Sequence, residues 1–166
     1  MAIEAVMREK AINFLDVTPE TSHKWALMNK GIESASVAYN ATTNTRHYIA
    51  DANATTTYTG NAKQLDVTQY AYKGDDTFDY IDDLFYYDKK GSDTETNLLQ
   101  VFLYRAAEGA TSYPAKVQPV MVVLDTHGGD GGDQLQLGYN VMFNGDPKYG
   151  IVTITDGVPV FTETSE

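Results

Sequence analysis

The most regular stretch of the chain runs from Gln134 to Phe143. Leu135, Leu137, Tyr139, Val141 and Phe143 are apolar, and Gln134, Gln136, Gly138 and Asn140 between them are not. A period of two over this length predicts a strand with one buried face. Asn144-Gly145-Asp146-Pro147 then concentrates turn chemistry, and Gly150–Ile154 resumes as a β-branched strand, so a hairpin is expected. Ala35, Val37, Tyr39 and Ala41 alternate with polar neighbours and predict another strand. Leu65 and Val67 share one parity and Tyr70 and Tyr72 the other, the pattern of a strand with a bulge or a change of face. The stretches 98–104 and 117–124 are apolar at both parities, which predicts central strands covered on both faces, or with one face in a subunit contact. The stretch 10–17 suggests an N-terminal strand.

One amphipathic helix is predicted over about residues 75–90. Gly74-Asp75-Asp76 supplies an N-cap and first-turn carboxylates, and Phe78, Ile81, Leu84 and Phe85 form one apolar stripe. Lys89 and Lys90 fit its last turn and Gly91 its stop. A shorter helical turn is expected from Lys24 to Lys30, ended by Gly31. From Asn40 to Asn61 the chain is mostly Thr, Asn, Ala and Asp, too poor in apolar residues for a core and too long for a tight turn. It reads as an extended, exposed arm. These elements predict one mainly β domain over residues 1–155, a sandwich or barrel of about seven to nine strands with one flanking helix. Residues 156–166 read as a flexible tail.

The 166-residue length suits one domain with its own core. There is no cysteine, which removes disulfides, thiolate metal sites and a cysteine nucleophile. The start, Met1-Ala2-Ile3-Glu4-Ala5, does not read as a secretory signal, and no stretch approaches the roughly 20 apolar residues of a membrane helix. A soluble protein without a membrane partner is expected. The net charge is −11, from 23 acidic and 12 basic residues. Such a surface repels phosphate and argues against gripping nucleic acid or an anionic membrane.

Candidate chemistry is sparse. His23, His47 and His127 are far apart in sequence with no recurring carboxylates, so no zinc site is expected. No nucleophile elbow, phosphate loop or dinucleotide fingerprint is present. The seven aspartates from Asp75 to Asp93 lack the order of a calcium loop and read as a solvated helix face. Gly128–Gln136 matches one calcium-binding nonapeptide of the β-roll, but that motif works by stacking several copies. A turn before a strand is the simpler reading, with a calcium site at Asp130 and Asp133 as the weak alternative. No catalytic residue, cofactor or resident metal is expected, and the protein reads as a non-enzyme.

The order of elements resembles that of the major tail (tail tube) proteins of long-tailed bacteriophages, especially those infecting Gram-positive bacteria. The likeness rests on the Thr/Asn-rich arm after a strand and on a strand followed by Gly74-Asp75-Asp76 and a single helix. It rests also on Gly132-Asp133-Gln134-Leu135, a long strand, Asn144-Gly145-Asp146-Pro147 and Gly150-Ile151-Val152. The resemblance spans roughly residues 10–155. It implies a subunit of stacked six-membered rings that form a hollow tube in the virion, assembled in the host cytoplasm. It also implies a tape-measure protein inside during assembly, terminator and tip proteins at the ends, and DNA passing later without specific binding. The arm is then expected to contact neighbouring copies through Thr42, Arg46, Tyr48, Asn53, Thr56 and Tyr58. Contractile-tail and type VI secretion tubes are similar in fold and form one alternative. A monomeric carbohydrate-binding or adhesin-like sandwich using Tyr58 or the tyrosines of 80–87 forms another.

Overall fold

A computed structural model describes residues 2–165. Segments become strands where a ladder partner is available, and those of the main sheet also find a covered face. In chain order these are β1 (Ala11–Asp16), β2 (Trp25–Leu27), β3 (Ile32–Ala38), β4 (Thr42–Arg46), β5 (Thr55–Gly60) and β6 (Gln64–Tyr70). The helix α1 (Asp76–Tyr86) precedes β7 (Glu95–Phe102), β8 (Ser112–Gly128), β9 (Gln136–Phe143), β10 (Lys148–Thr155) and β11 (Val158–Glu163). Nine strands share one sheet, ordered β2-β1-β7-β8-β9-β6-β3, with β10 also on β8 and β11 on β10. Every pairing is antiparallel. The chain is mainly β, as expected. β4 and β5 form a separate two-stranded sheet.

The sheet curls around one core. Leu15, Leu65, Leu98, Val120, Val122, Leu137, Tyr139 and Val141 point into it and meet Phe78, Ile81 and Leu84 of α1. The strand register places α1 at one end of this half-barrel, beside Asp16, Thr96, Leu124 and Gln69. At the opposite end lie Ala11, Phe102, Gln118, Phe143 and Gln64. A second, smaller core uses the other face of the central strands: Phe14, Leu99, Val101, Ala115 and Val152, with Trp25, Tyr113 and Phe161 packed against it. Adjacent residues such as Leu98 and Leu99 are therefore both buried, which explains stretches apolar at both parities.

Asp75 caps α1 as expected, its carboxylate accepting from the Phe78 N–H at 3.0 Å. The helix stops at Tyr86, short of the expected end. Asp88 takes the left-handed conformation (φ +48°), and the Lys89 N–H closes back on the Leu84 carbonyl at 3.0 Å. Lys89 and Lys90 thus lie beyond the helix, and its last turn contains no basic residue.

Four other expectations change. The turn of 24–30 is not helical: Trp25–Leu27 pairs with β1, and ladder formation there outweighs local helix preference. The strand around 65–72 has no change of face, because Gln69 occupies its third inward position and is fully buried. The irregularity lies instead in the partner strand, between Ile32 and Ala35. The expected hairpin over residues 134–154 is absent. Both edges of β9 are already taken, by β6 and β8, so β10 runs on along β8 in the same direction as β9. Residues 144–147 form a bulge opposite Gln118-Pro119, held by Asn144 N–H to the Pro119 carbonyl and Gln118 Nε2 to the Gly145 carbonyl, each 2.9 Å. The tail is ordered through residue 163: β11 pairs along β10, and Pro159 and Phe161 turn inward.

Candidate assembly interface

Three features carry no covering partner among the described residues: the arm, the free sheet edges and a broad polar face. The arm is the β4–β5 hairpin, whose residues are exposed apart from the half-buried Gly60 at its base. Its threonines favour strand, and with no core to fill, both faces can stay polar. Thr43 pairs with Tyr58 and Thr45 with Thr56, whose hydroxyls are 2.9 Å apart, on one face. Asn44, Arg46, Tyr48, Thr55, Thr57 and Thr59 line a shallow depression of about 260 Å³ on the other. Of the expected contact residues, Thr56 and Tyr58 thus sit on one face and Arg46 and Tyr48 on the other. Asn53 lies in the loop at the tip, and Thr42 at the root, where it pairs with Gly60 and its carbonyl accepts from the Thr59 hydroxyl at 3.0 Å. The six residues do not form one patch. Periodicity missed the fully exposed Ile49 at the tip, where His47 Nε2 meets the Asp51 carbonyl at 2.7 Å.

The edges are β2, β3 and β11, each paired on one side only. β11 displays Val158 and Val160, both about 60% exposed, beside Ile151 of β10. Such an edge templates further pairing unless something covers it. The third feature is the outer face of β3, β6, β8 and β9. There Glu33, Asp66, Thr68, Asp125 and Asn140 surround a depression of about 570 Å³ whose lining contains no Lys or Arg.

A buried polar chain fixes α1 to the sheet. Tyr139 Oη donates to Gln69 Oε1 at 2.9 Å, and Gln69 Nε2 donates to the Lys30 carbonyl (3.1 Å) and to Asp75 Oδ2 (3.2 Å), the same oxygen that caps the helix. Burial, with a lesser contribution from Asp75, pushes the Tyr139 hydroxyl far above its ordinary value. Tyr80 is also raised, chiefly by burial, against the lowering effect of its hydrogen bond with Thr96. Asp16, fully buried, accepts from Thr18 N–H (3.1 Å) and Lys24 N–H (3.3 Å) and meets His23 Nδ1 at 2.6 Å. That pairing spans a loop and left no periodic signal.

The histidines remain apart. His23 pairs with Asp16, His47 with its own loop, and His127 lies 3.8 Å from Asp82 and stacks at 5.3 Å on Phe85. Asp130 and Asp133 occupy the exposed turn between β8 and β9, joined by a backbone bond from Asp133 N–H to the Asp130 carbonyl at 3.2 Å. Among the described residues, no three His, Asp or Glu side chains converge as a metal site would require. Tyr86 and Tyr87 form an exposed edge-to-face pair, but Tyr80 faces inward, so the helix offers no continuous tyrosine platform. No helix of the described residues is long and apolar enough to cross a membrane.

No protein-family model and no curated protein matches the chain. Solved structures do. A chain from the tail of an empty gene transfer agent particle, refined helically with C6 symmetry, superposes with a TM-score of 0.60 at 12% identity, over 87% of this chain and 98% of that one. The fold is that of a particle-tail chain. A chain from the virion of the native gene transfer agent particle gives the same TM-score at 11% identity, over the same shares. A chain from the six-fold symmetrised baseplate of the anti-feeding prophage aligns over 90% of this chain with a TM-score of 0.47. The alignment takes in nearly the whole of the gene transfer agent chains, so the likeness concerns the entire architecture rather than a shared motif.

Proposed function

We propose that the protein is a structural subunit of a phage-like tail tube, built by joining copies of itself into rings of six that stack around a channel. The observation that carries this reading is the near-complete fold match to a chain of a C6-symmetric tail. The open edges β3 and β11 support it, because joining neighbouring sheets covers their unpaired backbone groups. The outer face bearing Glu33, Asp66 and Asp125 suits the channel wall, since a wall of carboxylates without cations does not hold DNA phosphates by counterion release. The arm then reaches a neighbouring copy, through Thr42, Arg46, Tyr48, Asn53, Thr56 and Tyr58. A tape-measure protein inside the channel, terminator and tip proteins at its ends, a place in the virion and assembly in host cytoplasm belong to the same reading, as does a tail of the long-tailed type. No catalytic step is assigned.

Negative-stain electron microscopy across concentration, with sedimentation on the same samples, tests this. Rings or hollow tubes are the expected result. A protein that stays monomeric at every concentration overturns the reading.

A further inference from the structure

The two ends of the half-barrel differ in kind. One is closed by α1, whose outward stripe is Asp79, Asp83 and Tyr86, all exposed. Asp79 and Asp83 are four residues apart, where like charges repel, and Asp83 lies in the C-terminal half of the helix, where the dipole also disfavours an anion. No basic residue stands within that last turn, and His127 approaches it only from the side, at Asp82 and Phe85.

The other end is cationic. Phe102, Tyr104, Arg105, Pro114, Lys116 and Tyr149 line a groove of about 430 Å³ whose lining, among the described residues, contains no carboxylate. Arg8 and Gln100 border the adjoining opening, and Lys63 donates to Gln118 Oε1 at 3.3 Å beside it. Among the described residues, Lys63, Arg105 and Lys116 have no carboxylate within ion-pair distance. Burial, and then repulsion from Lys63, lowers the pKa of Lys116. A half-buried lysine crowded by another cation, in a chain of charge −11, has no counter-anion among the described residues.

The geometry points to a head-to-tail contact in which the Asp79–Asp83–Tyr86 stripe of one copy seats on the Lys116–Arg105 groove of a second copy. The occupant follows from complementarity: the groove offers cations and aromatic rings, and the helix stripe offers carboxylates and a tyrosine. Because the two surfaces differ, the contact is heterologous, so each copy presents one half to a neighbour on either side and the contact propagates into a ring or a filament. This inference deepens the tube reading and rests on it for the meaning of the contact, while the contact itself can be tested on pairs of molecules.

The natural chain has no cysteine. Thr164→Cys at the groove rim and Tyr86→Cys on the helix stripe therefore give two proteins with one thiol each. Mixed under mild oxidation, they are expected to form the mixed disulfide dimer well ahead of either homodimer, and raised salt should slow it. Adding Lys116→Glu to the Thr164→Cys protein should slow mixed cross-linking about tenfold, as juxtaposed like charges do at interfaces. Asp83→Lys on the Tyr86→Cys partner should then restore it, which a misfolded groove variant would not allow. Dimers in random proportion, no mixed dimer, or charge reversal without effect would overturn the contact. Tubes by microscopy with no mixed dimer would refute this contact and leave the tube standing. A mixed dimer without tubes would retain the contact and refute the tube.

Discussion

Replacing Tyr139 by phenylalanine isolates one buried hydrogen bond almost without changing volume. Tyr139 is 1% exposed, and its hydroxyl reaches Gln69 Oε1 at 2.9 Å in the centre of the main core. Losing the bond costs about 1 kcal/mol, and leaving the buried Gln69 oxygen without a donor adds a desolvation penalty of about 1–3 kcal/mol. A total of about 2–4 kcal/mol is expected, or a fall in Tm of about 4–16 °C at about 2–4 °C per kcal/mol for a domain of this size. Urea unfolding of the monomer measures the first quantity and calorimetry the second. The alkaline limb supplies an independent check. The hydroxyl's folded pKa lies above the ordinary 10.0, so its contribution is fully present below that pH. Above it, the unfolded chain ionises while the folded one does not, and stability falls by up to about 1.4 kcal/mol per pH unit until the folded pKa is passed. Tyr139→Phe should remove that part of the slope while lowering stability at neutral pH. A variant within about 0.5 kcal/mol of the natural protein at neutral pH, with an unchanged alkaline slope, would refute the reasoning.

Cutting the arm between Asn44 and Thr57 to a tight turn should leave monomer stability within about 0.5 kcal/mol, because nothing in that span is buried, yet abolish long tubes. Normal tubes by microscopy would contradict the role given to the arm. Gly150→Ala should destabilise by about 1–3 kcal/mol in urea, since an added Cβ would lie 2.2 Å from the Thr162 carbonyl oxygen and 2.8 Å from the Phe161 ring. Ile81→Ala, at a fully buried site joining α1 to the sheet, should cost about 2–5 kcal/mol in the same assay. Calcium or a chelator should leave Tm unchanged, in the natural protein and in Asp130→Asn alike. A calcium-dependent rise lost in the variant would restore the ion site.

What local chemistry could determine was readable from residues alone. Period two from Gln134 to Phe143 placed Leu137, Tyr139 and Val141 on one buried face, although Leu135, expected on it too, lies before β9 and is exposed; Asp75 before Phe78, Ile81 and Leu84 marked where the helix begins and which side it buries. The Thr/Asn composition of 40–61 marked a segment with nothing to bury. These features depend on residues within one or two turns of each other. Tertiary structure decided the rest, because a strand's hydrogen-bond partners come from distant chain. β9 cannot pair with β10 once β6 and β8 hold both its edges, so strong turn chemistry at 144–147 became a bulge rather than a hairpin. Val158–Glu163 became a strand only because β10 offered a free edge, and Gln69 could be buried only because Tyr139, Lys30 and Asp75 surround it with partners. The opposed charges at the two ends of the half-barrel arose the same way. Lys63, Arg105 and Lys116 are scattered in sequence, and it is the curl of the sheet that gathers them opposite the acidic helix.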